Sequence, residues 1–211
     1  MNDYVEKLLS ICSNALSPLE GVKDCSEFFS SPLSFELNTL LNRKNGCYGF
    51  ESALHIFPYQ TTHEEIGLVD WNNKNLWISS YEDMAIGALY FAEDVFGGQF
   101  CLKTNGIYFF DPETAEFTKF ANNINEWCEL ILSDYSVVTG YSLAHSWQEI
   151  NGPIPSGYRL APKIPFVAGG LYELDNLYIC KSHELMEAAA NIALQIRDTP
   201  DGSNVQLVIN T

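Results

Sequence analysis

The 211 residues are 46% hydrophobic and 13% aromatic, enough apolar surface for one sizeable core and too much for a disordered chain. Acidic side chains number 27 against 11 Lys plus Arg, and the net charge of −16 repels phosphate backbones and anionic headgroups, so nucleic acid and membrane surfaces are poor partners. The excess is uneven: residues 61–150 carry 14 acidic and 3 basic groups, so attraction for a basic protein concentrates in the middle third.

In chain order, Val5, Leu8, Leu9, Cys12, Ala15 and Leu16 fall at helical spacing behind Asp3, a helix over 3–16 capped by that carboxylate. A second helix is expected over Phe35–Asn42, after Ser34 and before Asn45-Gly46. Residues 48–76 are mixed and polar and read as irregular. Leu89–Ala92 reads as a buried strand running to Gly97-Gly98. A meander follows: Gln99–Lys103 and Ile107–Phe110 flank Asn105-Gly106, a hairpin signal, and Glu116–Phe120 alternates as a fourth strand.

Asn123-Ile124-Asn125-Glu126 has the form of a capping box, and Ile124, Trp127, Cys128, Ile131, Leu132 and Tyr135 then make a helical stripe. Four prolines between Asn151 and Pro165 predict an ordered loop. Leu177–Cys180 is a strand, Ser182 caps a final helix with Leu185, Met186, Ala189, Ile192, Ala193 and Ile196 on one face, and Val205–Ile209 closes the chain as a strand. The sum is one domain over 1–211 of α+β class, with helices packed against a largely antiparallel sheet around a central meander.

Chemistry is harder to find. His183-Glu184-Leu185-Met186-Glu187 lacks the second histidine of a zincin helix, and the six cysteines contain no C-x-x-C pair, so no metal and no cofactor is expected. The cysteines read as reduced thiols. The chain start has no basic segment leading into an apolar one, which with the thiols points to the cytoplasm. Glu93-Asp94 and Asp111 with Glu113 flank neighbouring strands and could converge as the acid and base of a carboxylate-dependent hydrolase, but adjacent strand residues point to opposite faces. Gly97-Gly98 and Gly169-Gly170 continue into no phosphate-binding motif. The aromatic set Tyr90, Phe91, Phe100, Tyr108, Phe109, Phe110, Phe117 and Phe120 reads as sheet core. No catalytic set is assembled, and the chain is expected to bind a macromolecule instead of acting as an enzyme.

Leu89-Tyr90-Phe91-Ala92-Glu93-Asp94-Val95-Phe96-Gly97-Gly98-Gln99-Phe100, then Gly106-Ile107-Tyr108 and Asp111-Pro112-Glu113-Thr114, resembles the SUKH superfamily of bacterial immunity proteins, relatives of the fungal regulators of cell-wall glucan synthesis. The helix with Trp127, then Gly140-Tyr141, Trp147-Gln148, Asn151-Gly152-Pro153 and Ile164-Pro165-Phe166 extend the likeness over about 30–200. The resemblance implies an α+β domain that binds and neutralises a cognate protein toxin, often a nuclease, with no catalytic residues to carry over. A scaffold or regulator of envelope synthesis is the alternative it leaves open. Sign, turn position and absence from apolar stripes select Asp70, Glu82, Asp83, Glu93, Asp94, Asp111 and Glu113 as contacts for a basic toxin. Oligomeric state is not legible.

Overall fold

The computed structural model describes residues 3–27 and 29–200, and the strand expected at Val205–Ile209 lies outside them. Helix α1 (Tyr4–Ile11) is capped as expected, with the Asp3 carboxylate accepting from the Glu6 N–H at 3.0 Å, but it stops short of 16 because Cys12 is extended. Helix α2 (Pro32–Arg43) begins earlier than its apolar spacing suggested. Ser31 caps it through the Leu33 N–H, and Pro32 takes the first helical position, where a missing N–H costs nothing.

The stretch read as irregular holds strands β1 (Cys47–Gly49) and β2 (Leu54–Ile56) and a short helix α3 (Leu68–Trp71). Three-residue strands are too short to show alternation in sequence. Strands β3 (Leu89–Asp94), β4 (Gln99–Lys103), β5 (Gly106–Phe110) and β6 (Phe117–Ala121) complete a six-stranded sheet. Its spatial order is β1-β2-β3-β4-β5-β6 with every pair antiparallel, so the meander is longer than predicted. Lys103 pairs with Gly106, which leaves Thr104-Asn105 as the loop. Gly106 alone of the expected pair takes positive φ (154°).

Register shifts at Tyr90/Ala92 and Ile107/Tyr108 make Phe91 and Phe120 the extra residues of two bulges. Both rings join one aromatic layer: Phe91 and Phe100 meet Trp127 edge-on at 5.1 and 5.5 Å, and Phe120 meets Phe100 at 5.2 Å. Trp127 comes from α4 (Ile124–Ser133), capped by Asn123 through the Glu126 N–H. The Glu126 carboxylate reaches back to the Asn122 N–H, one residue before the reciprocal partner a capping box would use. The stripe predicted to run through Tyr135 is split, because Asp134 leaves helical geometry and Tyr135 begins α5 (Tyr135–Val138). Helix α6 (Tyr141–Asn151) follows.

A second aromatic layer brings Trp77 and Tyr81, from the segment between β2 and β3, against Tyr90 and Phe110. The Asn72 side chain gives Tyr90 both of its missing backbone partners, donating to its carbonyl and accepting from its N–H at 2.8 Å each.

The Pro-rich loop contains a strand, β7 (Tyr158–Pro162), antiparallel to β8 (Leu177–Lys181). A two-stranded ribbon accepts Pro162 at a strand end, where its missing N–H breaks no central ladder. Helix α7 (Ser182–Ile196) begins at Ser182, with Lys181 in the cap position and no side-chain cap bond, so the expected serine cap is not made. The α+β class with helices against a largely antiparallel sheet is the observed architecture. No described helix is long and apolar enough to cross a membrane.

Candidate functional site

Three of the sequence-selected acids come together at one end of the meander. Asp94 ends β3, and its Oδ1 accepts from the Phe96 and Gly98 N–H groups at 2.8 Å each, which folds the turn back into β4. A Cβ on Gly98 would lie 2.2 Å from Phe109 Cζ and 2.7 Å from Asp94 Oδ2, so only glycine allows this approach. Asp111 follows β5 and orders its own loop, its Oδ1 accepting from the Glu113 and Thr114 N–H groups at 2.8 and 3.3 Å. Glu113 Oε2 accepts from the Val167 N–H at 2.7 Å and ties that loop to the segment between β7 and β8.

These carboxylates line a cavity of about 360 Å³. One wall is aromatic: Phe166 and Tyr172 stack at 3.8 Å and 4°, and Phe96 meets both edge-on at 5.6 and 5.5 Å. Leu185, Ala189 and Ile192 of α7 supply another. The lining contains three carboxylates and no Lys, Arg or His. Asp94 and Asp111 each spend one oxygen on backbone N–H groups, and Glu113 is held by the Val167 and Phe166 N–H groups. Burial raises the Asp94 carboxyl to about 7 against its two N–H donors, with the Glu93 charge adding to the rise. Glu113 is also raised, by burial and then by Asp111. Although the residue as a whole is 63% exposed, the Tyr172 hydroxyl is pushed up to about 12 by partial desolvation at the cavity and then by the Asp94, Asp111 and Glu113 carboxylates.

Three large side chains of the lining are open to solvent, Val167 and Tyr172 from the segment between β7 and β8 and Tyr178 from β8, and that segment also exposes Ile164 and Leu171. Beyond the Phe96 and Tyr172 wall a wider groove shares Asp94 and Phe109 and extends to Val137 of α5.

Glu93 does not belong to this surface. The sequence selected it as an exposed contact, but it is 0% exposed and lies at the centre of a buried network. Arg159 Nε of β7 sits 2.9 Å from its Oε1, His55 Nδ1 of β2 3.0 Å from the same oxygen, and Gln99 and Ser182 donate to Oε2 at 3.2 and 2.5 Å. The Ser182 hydroxyl, released from capping, thus points at a carboxylate and not at the histidine, so no nucleophile–base pair forms. Burial opposes ionisation, yet Arg159 and His55 hold Glu93 below the ordinary carboxylate range. Burial lowers His55 below its usual value, against the pull of Glu93 and Glu65. The network joins both sheets to the start of α7.

The remaining acids lie outside the cavity lining. Asp70 is exposed and accepts from the Thr61 hydroxyl. Glu82 and Asp83 pair with Arg197 at 3.1 and 2.7 Å, so their charge is partly neutralised within the chain. The sequence did not single out Phe96, Phe166, Val167 or Tyr172 as site residues. The one available signal was Leu171-Tyr172, a large apolar pair directly after Gly169-Gly170 in a segment without periodicity.

No family model and no curated protein matches the chain. Among solved structures it is similar to Atu4351 from Agrobacterium tumefaciens, with 12% identity over 88% of this chain and 87% of that one and a TM-score of 0.54, a likeness of fold alone.

Proposed function

We propose that the chain is a non-catalytic, cytoplasmic immunity protein that binds and neutralises a basic protein toxin, in keeping with its resemblance to the SUKH superfamily. The observation that supports this reading is the acidic cavity, whose lining holds three carboxylates and no Lys, Arg or His among the described residues and includes the exposed side chains of Val167, Tyr172 and Tyr178. A concave anchor site lined by apolar side chains is the anatomy of a protein-binding hot spot. Nucleases hold phosphates in cationic clefts, and an acidic inhibitor competes for those charges while speeding its own encounter.

The test is recovery of a stoichiometric partner from the producing cell, followed by expression of that partner with and without this chain. A basic protein that arrests growth alone and is tolerated with the chain is the expected result. No toxic partner, or equal toxicity in both strains, overturns the proposal.

A second reading has one observation in its favour: Asp94, with its raised carboxyl, shares a cavity with Asp111 and Glu113, as the acid and base of a hydrolase would. Against it, all three acids hold backbone in place: Asp94 and Asp111 their own turns, and Glu113 the segment between β7 and β8. Turnover of a glycan that Asp94→Asn abolishes would establish this reading in place of the first.

A further inference from the structure

Asp94 and Glu113 are each 7% exposed, their carboxylates are held by backbone N–H groups and by no basic side chain of the lining, and both line one cavity with Asp111. A carboxylate that opens into a concave, acid-lined space with no cation beside it is an acceptor for a cation supplied from outside. The walls narrow the choice of cation. Flat, stacked rings suit a planar cation that can lie on their faces, and several acceptors around one space suit a group with a fork of N–H donors. Guanidinium is planar and forked, and it gives up its water more readily than an ammonium does. The cavity, about 360 Å³, also has room for the methylene stem of the side chain against Leu185, Ala189 and Ile192.

We infer that this cavity is a receptor for the guanidinium of an arginine side chain presented on the surface of a partner protein, held by Asp94 and Glu113 and covered by Tyr172. The inference rests on the proposed binding of a basic partner and gives that partner an anchor residue. Val167 and Tyr178, exposed side chains of the lining, then meet the residues flanking the arginine.

The experiment is a titration of the full chain with N-acetyl-arginine methylamide, followed by NMR, beside the capped citrulline and capped lysine analogues. The arginine analogue is expected to saturate the site, and citrulline, of similar shape but uncharged, to bind about tenfold or more weakly, with lysine between them. Asp94→Asn and Glu113→Gln each weaken arginine by about tenfold or more, while Glu129→Gln on the exposed face of α4 leaves it unchanged. Tyr172→Ala, at an exposed position, gives a second test of the same loss should either acid variant fail to fold. Equal binding of citrulline and arginine, tighter binding of lysine, or indifference to Asp94, Glu113 and Tyr172 overturns the inference. A toxic partner captured equally well by wild type and by Asp94→Asn with Glu113→Gln overturns the arginine anchor and leaves the immunity reading intact. Arginine binding by a chain that protects against no toxin does the reverse.

Discussion

Asp94 carries the largest consequence of any single residue. It faces the Phe96 and Gly98 N–H groups in its turn, Glu93 on its own strand, Arg159 of β7, and Asp111, Glu113 and Tyr172 across the cavity. Its carboxyl is raised by burial to about 7 from an ordinary value of 3.8, so the folded protein holds a proton that the unfolded chain releases between those values. Its contribution to stability is present below about pH 4 and is lost as pH rises to about 7. Asp94→Asn keeps the oxygen that accepts both turn N–H groups and removes the buried charge. Urea unfolding should find this variant more stable than wild type by about 1–3 kcal/mol at pH 8 and nearly equal at pH 4. The same protonation weakens a cation receptor, so partner affinity should fall from pH 8 to pH 5 in wild type and change less in the variant. Arg159 makes the opposite case. It is wholly buried against Glu93, so Arg159→Ala strands a charge and should cost about 3–5 kcal/mol in urea unfolding, whereas Arg159→Met, of similar volume, should cost less. Neither role was legible: an acid beside a turn reads as solvated, and an isolated Arg among prolines gives no sign of burial.

At the scale of elements, legibility followed length and periodicity. Helices α4 and α7 and strands β3 to β6 stood out because several turns or alternations repeat and polar caps or glycines bound them. Strands β1 and β2 were missed because three residues carry little pattern, and β7 because the prolines around it read as a loop; tertiary pairing decides all three. The site lies where those missed elements meet legible ones. β7, β8 and the segment between them place Phe166 and Tyr172 over a cavity whose acids come from the meander's turns. Gly98→Ala should therefore disturb the site more than the sheet: its Cβ displaces Phe109 and Asp94 Oδ2, and partner binding should fall by more than the loss of stability accounts for. Asn72→Ala, which strips Tyr90 of both backbone partners beside the bulge, should cost about 1–3 kcal/mol in urea unfolding and leave partner affinity unchanged.

For the whole molecule, the excess of acidic charge supplies a long-range field, and in the proposed complex the cavity is where a basic partner docks. The field is screened beyond about 10 Å at 0.1 M salt, so partner association should slow steeply with ionic strength, while dissociation, set by the buried anchor and the apolar lining, should change little. Tyr172 separates the two effects because it is exposed and uncharged. Tyr172→Ala should cost under about 1 kcal/mol of stability and about thirtyfold in affinity, nearly all of it in the dissociation rate. The measurement closest to the central claim is growth of cells expressing the captured basic partner together with wild-type chain or with Tyr172→Ala at matched levels. The account predicts that wild type restores growth and that the stably folded variant does not. Equal protection by both, or protection by neither, would contradict it.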